Sequence, residues 1–192
     1  MRPRKLSREQ LLLRSALCFK QHGYTAASVS RLAQACGLSK AAFYYDFSSK
    51  DALLHEILEA THQQLRKSLF QQLRRPHEDL AAAYLQAHAS AAHFFSSGGT
   101  GCLAGMLSAE RPNLPEQIAE KVRAIFQDWE QAFYEFFRQG MDEQRAAQWA
   151  ALSVADYEGA ILMSRIRPEQ NYLALLQARI LHQLNLHQLA ES

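Results

Sequence analysis

Apolar residues recur at steps of three and four along almost the whole chain, and no stretch shows the alternation of a half-buried strand. Ser7 stands at an N-cap position with Glu9 close behind, Leu12, Ala16 and Phe19 follow at steps of four and three, and Gly23 ends the pattern. A first helix over 7–22 is predicted. Ser28 can cap a second helix in which Val29, Leu32, Ala33 and Cys36 fall at i, i+3, i+4 and i+7, and Gly37 closes it. Gly37, Leu38 and Ser39 then lead into a third, short helix, capped by Ser39, with Phe43 and Phe47 four apart on its inner side. From Lys50 a longer helix keeps Leu53, Leu54, Ile57, Leu58, Thr61, Leu65 and Leu69 on one stripe for about five turns and ends before Pro76.

The second half repeats the helical texture. An alanine-rich helix over 78–95 precedes Ser-Ser-Gly-Gly-Thr-Gly at 96–101, which reads as a flexible linker. A short helix begins in Gly101–Glu110, and Pro112 and Pro115 force a break and start another. That helix is aromatic: Val122 and Ile125 lead to Phe126, Trp129, Phe133, Phe136 and Phe137. Two further helices, about 142–165 and 168–186, differ in kind. The first is rich in small residues (Ala150, Ala151, Ser153, Ala155, Gly159, Ala160), and the second carries Leu173, Leu176, Ile180 and Leu184 as a stripe. The expectation is an all-α chain of about nine helices, with a three-helix helix-turn-helix head in 1–50 and a larger helical bundle in 51–192.

Composition adds limits. With 192 residues and 48% apolar content the chain can build a sizeable core. No run approaches the roughly eighteen apolar residues of a membrane span, and Met1-Arg2-Pro3-Arg4-Lys5 lacks a signal-peptide core, so a cytoplasmic location is expected. Cys18, Cys36 and Cys102 are odd in number, far apart and without a CxxC pair, which argues against a disulfide framework or a zinc site.

Charge changes the picture more. The overall +2 conceals nine basic residues against Glu9 and Asp46 in positions 1–50, a net of +7, and 12 basic against 17 acidic residues in the remainder, a net of −5. A polyanion partner for the N-terminal segment follows, or else a solvated basic surface. If Phe43 and Phe47 hold the third helix on its core, then Ser39, Lys40, Ala41, Tyr44 and Tyr45 fall on outer and flanking faces. Small residues there let a backbone approach a DNA groove, and lysine and phenol are donors to phosphates and base edges. Tyr44 and Tyr45 could equally be half-buried packing residues.

Residues 8–54, and above all Gly23–Leu54, resemble the N-terminal DNA-binding domain of TetR-family transcriptional regulators. The family pattern is matched at Gly23, Tyr24, Ser28, Leu32, Ala33, Gly37, Leu38, Ser39, Tyr44, Phe47, Ser49, Lys50, Asp51 and Leu53. The resemblance implies phosphate contacts from Ser28, Tyr44, Tyr45 and Lys50. It implies base reading by Ser39, Lys40 and Ala41, with Ser30 or Arg31 as further candidates. Asp46 departs from the pattern, since a carboxylate facing phosphates is repelled; it is expected to pair with a base such as Arg31 or Lys50. The arm of Arg2, Arg4 and Lys5 could enter a minor groove or remain solvated.

For the second part, the same resemblance implies a ligand-sensing and dimerisation domain. Phe94, Met106, Trp129 and Phe133 are candidate lining residues of an apolar cavity, although aromatics at this spacing also describe a plain core. The Gly101–Glu110 stretch with Phe-Arg-Gln-Gly at 137–140 is similar to a subgroup that includes repressors sensing electrophiles through a cysteine at the position of Cys102. Glycines and a helix start beside that thiol would favour its thiolate, whereas a free cysteine is more ordinarily a small buried apolar residue. Helices 142–186 correspond to the pair through which the family forms homodimers, whose two heads read a palindromic operator about 34 Å or a multiple of it apart.

Enzymatic readings find no support in the motifs. HExxH, GxSxG and the Lys-Ser/Thr ending of a P-loop are absent, no cofactor is implied, and His55 with His62 and His88 with His93 lack the chelating i, i+4 spacing. The function implied is a homodimeric DNA-binding repressor released by a small apolar ligand or by modification of Cys102. The alternatives are a helical partner-binding module or an activator without redox sensing.

Overall fold

The computed structural model describes residues 6–96 and 101–191, with side chains described to residue 185. The basic arm at 2–5 and most of the glycine-rich linker lie outside the described residues. The described residues contain helices and turns and no strand. In chain order they are α1 (Arg8–Ala26), α2 (Val29–Ala35), α3 (Lys40–Asp46), α4 (Lys50–Leu65), a π-helical turn (Arg66–Phe70), α5 (Gln71–Arg74), α6 (Leu80–Ser96), α7 (Leu103–Ser108), a 3-10 turn (Arg111–Asn113), α8 (Glu116–Phe137), α9 (Glu143–Ile166) and α10 (Tyr172–Glu191). Counting α4, the π turn and α5, which follow without a gap, as one helical stretch, the all-α architecture has nine helical stretches among the described residues.

The helix starts follow from capping chemistry. Ser7 forms a reciprocal box with Gln10: its hydroxyl accepts from the Gln10 N–H, and its own N–H donates to the Gln10 side chain. Ser28 and Ser39 accept from Arg31 N and Ala42 N, so both short helices begin as the serines predict. Between them Gly37 takes φ 66°, a left-handed conformation that L side chains rarely adopt, and Leu38 N donates back to Ala33 O at 2.8 Å. A Cβ at Gly37 would meet nothing within 4 Å, so the backbone angle rather than space requires glycine there.

Several boundaries differ from the periodicity. Gly23 does not end α1 outright: it interrupts the helix at φ 72°, ψ 179°, and the chain turns once more to Ala26. Asn171 caps α10, so the last helix begins at Tyr172 rather than at Pro168. Cys102 stands at the start of α7 as its N-cap, beside the helix start expected there.

The chain divides into two compact units, Met1–His62 with Cys102–Arg123, and Gln63–Gly101 with Ala124–Ser192. In the first, Leu11, Phe19, Leu32, Phe43, Leu53, Leu54 and Leu58 are buried around α1–α4, and α7, which packs on α1, buries Leu103, Ala104 and Leu107. Phe43 has no exposed surface and lies 5.5 Å from the Phe47 ring, which anchors α3 with about 1.5–3 kcal/mol per buried phenyl. Arg8 completes this corner by pairing with Glu56, donating to the Asp46 carbonyl and resting 4.0 Å above the Phe47 ring.

The second unit is organised by Trp129. Its ring is stacked against Phe70, Phe95, Phe126 and Phe133 at centroid distances of 5.4–6.5 Å, and Tyr157 leans on it at 5.5 Å. Asp128 receives both Arg66 Nε and an Arg74 guanidinium N–H at 2.5 Å, tying the first residue of the π turn and the last of α5 to α8. Leu176, Ile180 and Leu184 of α10 face inward, so the stripe expected on that helix belongs to the unit's own core.

Candidate nucleic-acid interface

The roll of α3 is set from below. With Phe43 and Phe47 buried, Ser39, Lys40, Ala41, Tyr44 and Tyr45 are all exposed, the two tyrosines at 54% and 83%. Those values dispose of half-buried packing for Tyr45. Tyr44 touches Phe43 edge-on at 5.7 Å and keeps about half of its surface exposed. Ser28, Ser30 and Arg31 at the start of α2 are exposed as well, and the Arg31 guanidinium donates to Ala26 O at 2.9 Å, holding it near the helix start.

Lys50 is half-buried and differently placed. Its ammonium donates to Tyr24 O at 3.0 Å and sits 3.8 Å from the centre of the Tyr24 ring, leaving further N–H groups for an anion. The Tyr24 hydroxyl donates in turn to Asp51 at 2.8 Å, and burial with that carboxylate's influence raises the phenol to about 12. Arg8 is a base whose charge interacts with Asp46; its own pKa is raised chiefly by its hydrogen bond to Glu56 and further by Asp46. Arg31 and Lys50, the partners expected from sequence, hold backbone carbonyls.

Local sequence gave no sign of a clamp on the same corner. Glu110, just beyond α7, accepts from Tyr24 N at 2.7 Å, Thr25 N at 2.9 Å and the Thr25 hydroxyl at 2.6 Å. Burial works to raise its carboxyl pKa, but the Thr25 and Tyr24 hydrogen bonds and the charge of Lys50 prevail and hold it below the ordinary glutamate value.

The sensor candidates are distributed as follows. Cys102 is 8% exposed, and its sulfur accepts from Gly105 N at 3.4 Å as the α7 cap. Trp129 and Phe133 stack on one another at 6.5 Å deep in the second unit, where half-buried Phe94 stands edge-on to Phe95. Met106, half-buried on α7, belongs to the first unit. A polar cluster escaped the periodicity because its members sit on different helices. His88 Nδ1 lies 2.7 Å from the Tyr157 hydroxyl and 3.3 Å from that of Tyr84. Burial lowers the His88 pKa and raises both phenols. Trp129 Nε1 and Ser153 Oγ are buried without a hydrogen-bond partner among the described residues. Cys18 and Cys36 are core residues, the latter 3.3 Å from Ser15 Oγ.

Comparison with known proteins agrees with this geometry. Residues 11–57 match the family described as bacterial regulatory proteins, tetR family, and residues 81–179, more than half of the chain, match the C-terminal domain of LmrA/YxaF-like transcriptional regulators. Among curated relatives, the HTH-type transcriptional repressor DhaR of Mycobacterium sp. (strain GP1) is 25% identical over 167 residues, covering 83% of this chain and 82% of its own. The HTH-type transcriptional regulator LmrA of Bacillus subtilis is 25% identical over 163 residues, covering 82% and 86%. Similar folds include a TetR transcriptional regulator from Legionella pneumophila (TM-score 0.80, 18% identity, 95% of this chain and 98% of that one) and reduced Escherichia coli NemR (TM-score 0.74, 24% identity, 90% and 94%). These relatives are regulators, a non-enzymatic class. With its helix-turn-helix head and its LmrA/YxaF-like C-terminal domain, the chain belongs to the TetR family of DNA-binding transcriptional regulators.

Proposed function

We propose that the protein is a homodimeric repressor that binds a palindromic operator through α2 and α3 and is released by a small, mostly apolar inducer held in the second unit. The observation that carries the DNA side is the outward polar face of α3, held in roll by buried Phe43 and Phe47. Ser39, Lys40 and Ala41 read base edges, joined by Ser30 and Arg31; Ser28, Tyr44, Tyr45 and Lys50 hold phosphates. The name of DhaR, a repressor, supports the sign of regulation.

Support for the dimer comes from α9. Leu152, Ala155, Gly159, Leu162 and Ile166 recur at steps of three and four and are all exposed, and Leu175 is 55% exposed on neighbouring α10. A surface stripe of apolar and small residues at this period suits a second copy of the same helix pair. The inducer reading rests on the aromatic enclosure of Trp129 and Phe133, with Phe94 at its margin, and on the unpaired donors at Trp129 and Ser153. Met106, on α7, and Cys102, the cap before it, belong to the first unit and form a separate sensor candidate. Burial and the cap bond favour a packing role for Cys102 over a freely reactive thiol, so ligand release is preferred to thiol modification. Among the described residues no helix is long and apolar enough to cross a membrane, and a cytoplasmic site of action accords with binding DNA.

Selection of bound duplexes from a random pool, repeated with an oxidant, tests the reading. A recovered two-fold symmetric site, bound by wild type with an affinity that falls steeply as salt rises, is expected. A Cys102→Ser variant is expected to bind and be released like wild type. Loss of oxidant release in that variant alone would restore the thiol as the trigger.

A further inference from the structure

We infer that Glu110 is a positioning residue for DNA recognition, a carboxylate latch that fixes the Gly23–Thr25 corner and, through it, Lys50 and the start of α2. This rests on the DNA-binding face proposed above and adds to it a residue that lies 85 positions from Thr25 in sequence. Three features converge on the corner. First, the Gly23 backbone at φ 72° breaks α1 so that two successive N–H groups, of Tyr24 and Thr25, point at one carboxylate. A run of backbone donors of this kind is a seat for an anion, and here a side chain fills it.

Second, the backbone angle favours glycine at 23, and the missing Cβ leaves room for the carboxylate. A Cβ there would lie 2.1 Å from Glu110 Oε1 and 3.0 Å from its Cδ, and the positive φ is itself strained for any L side chain. The glycine that marks the end of α1 in the sequence is thus also the clearance for the latch. Third, the clamped segment holds residues of the proposed DNA-binding face. Tyr24 offers its carbonyl and ring to Lys50 and its hydroxyl to Asp51, and Ala26 O, one residue beyond Thr25, receives Arg31. Ser28 N also donates to Ala26 O at 3.0 Å, so the α2 N-cap hangs from the same short segment. Releasing Glu110 would free two backbone donors and a hydroxyl, and let this segment and its attached cations drift.

The sign of one substitution separates a latch from a bystander. Glu110→Gln keeps the side-chain size and removes one negative charge from the unit, which by electrostatics alone favours a polyanion. The latch predicts the opposite, about tenfold or more weaker binding to a duplex that wild type has selected from a random pool, since bonds to a charged acceptor are lost. Glu9→Gln, a change at an exposed acid in the first turn of α1, serves as the control and is expected to bind like wild type or slightly tighter. Thr25→Val removes the hydroxyl alone and is expected to weaken binding about twofold to fivefold. Combined with Glu110→Gln it should add nothing, because the hydroxyl then has no carboxylate to serve.

Melting curves on each variant, with binding read well below the midpoint, separate placement from loss of fold. A folded Glu110→Gln protein that binds as well as wild type or tighter overturns the inference. So does unchanged binding by Thr25→Val if the glutamine variant does not fold. A wild-type chain that recovers no duplex fails the DNA-face reading and the latch with it; a wild type that binds while the variants bind equally fails the latch alone.

Discussion

Helices α3 and α9 solve the same packing problem and present opposite outward faces. Each buries one side: Phe43 with the following Phe47 in the first case, Ala146, Ala150, Val154, Tyr157 and Ile161 in the second. The outward sides differ completely. On α3 it is serine, lysine, alanine and two tyrosines; on α9 it is Leu152, Ala155, Gly159, Leu162 and Ile166. A polar, donor-rich face loses little by staying in water until phosphates replace that water, whereas an exposed apolar stripe gains about 25 cal/mol for each Å² it covers. Burial on one side fixes the roll of a helix, and the chemistry on the other side says what it is for.

If that contrast is right, the largest effect comes from placing a charge on the α9 stripe. Leu162→Glu is expected to cost about 3 kcal/mol or more per copy, felt twice across a two-fold interface, and sedimentation should show monomers with operator affinity greatly reduced. Phe43→Ala attacks the buried side of α3 instead. It should lower stability by about 3–5 kcal/mol, seen in thermal melting, and abolish DNA binding with it. Lys50→Ala leaves both cores alone and should weaken binding to all duplexes alike, with the slope of log K against log salt falling by about 0.9 per lost phosphate contact.

The smallest effect is on pH. Burial depresses the His88 pKa below its ordinary 6.5, so the folded chain binds fewer protons than the unfolded one as pH falls. Its contribution to stability is complete above pH 6.5 and declines as pH falls from there through the folded pKa. The melting temperature of wild type should therefore drop more between pH 7.5 and pH 5.5 than that of His88→Gln, which is expected to start lower and change less.

How much of this was legible beforehand depends on whether the signal is local. Ser28, Ser39 and Gly37 specify the two short helices and their turn through bonds spanning three to five residues, and the sequence pattern carried them. The paired phenyls four apart likewise told which side of α3 faces out. Glu110 could not be found that way, since nothing near it in the chain indicates that its partners are Tyr24 and Thr25. The Tyr84–His88–Tyr157 cluster escaped for the same reason: Tyr157 joins from another helix. The π turn at Arg66–Phe70 interrupts an apolar stripe that reads as an unbroken α-helix, because the extra residue is absorbed by the hydrogen-bond ladder and leaves no mark on the hydrophobic period.

The central claim is that the outward face of α3 reads base edges. Selecting duplexes from one random pool with wild type and with Lys40→Ala tests it most directly. Wild type should return a defined two-fold symmetric site, and the variant a site degenerate at one or two positions in each half, with a penalty of about 1–3 kcal/mol on the original sequence. Recovery of the same site at the same strength by both proteins would contradict the account.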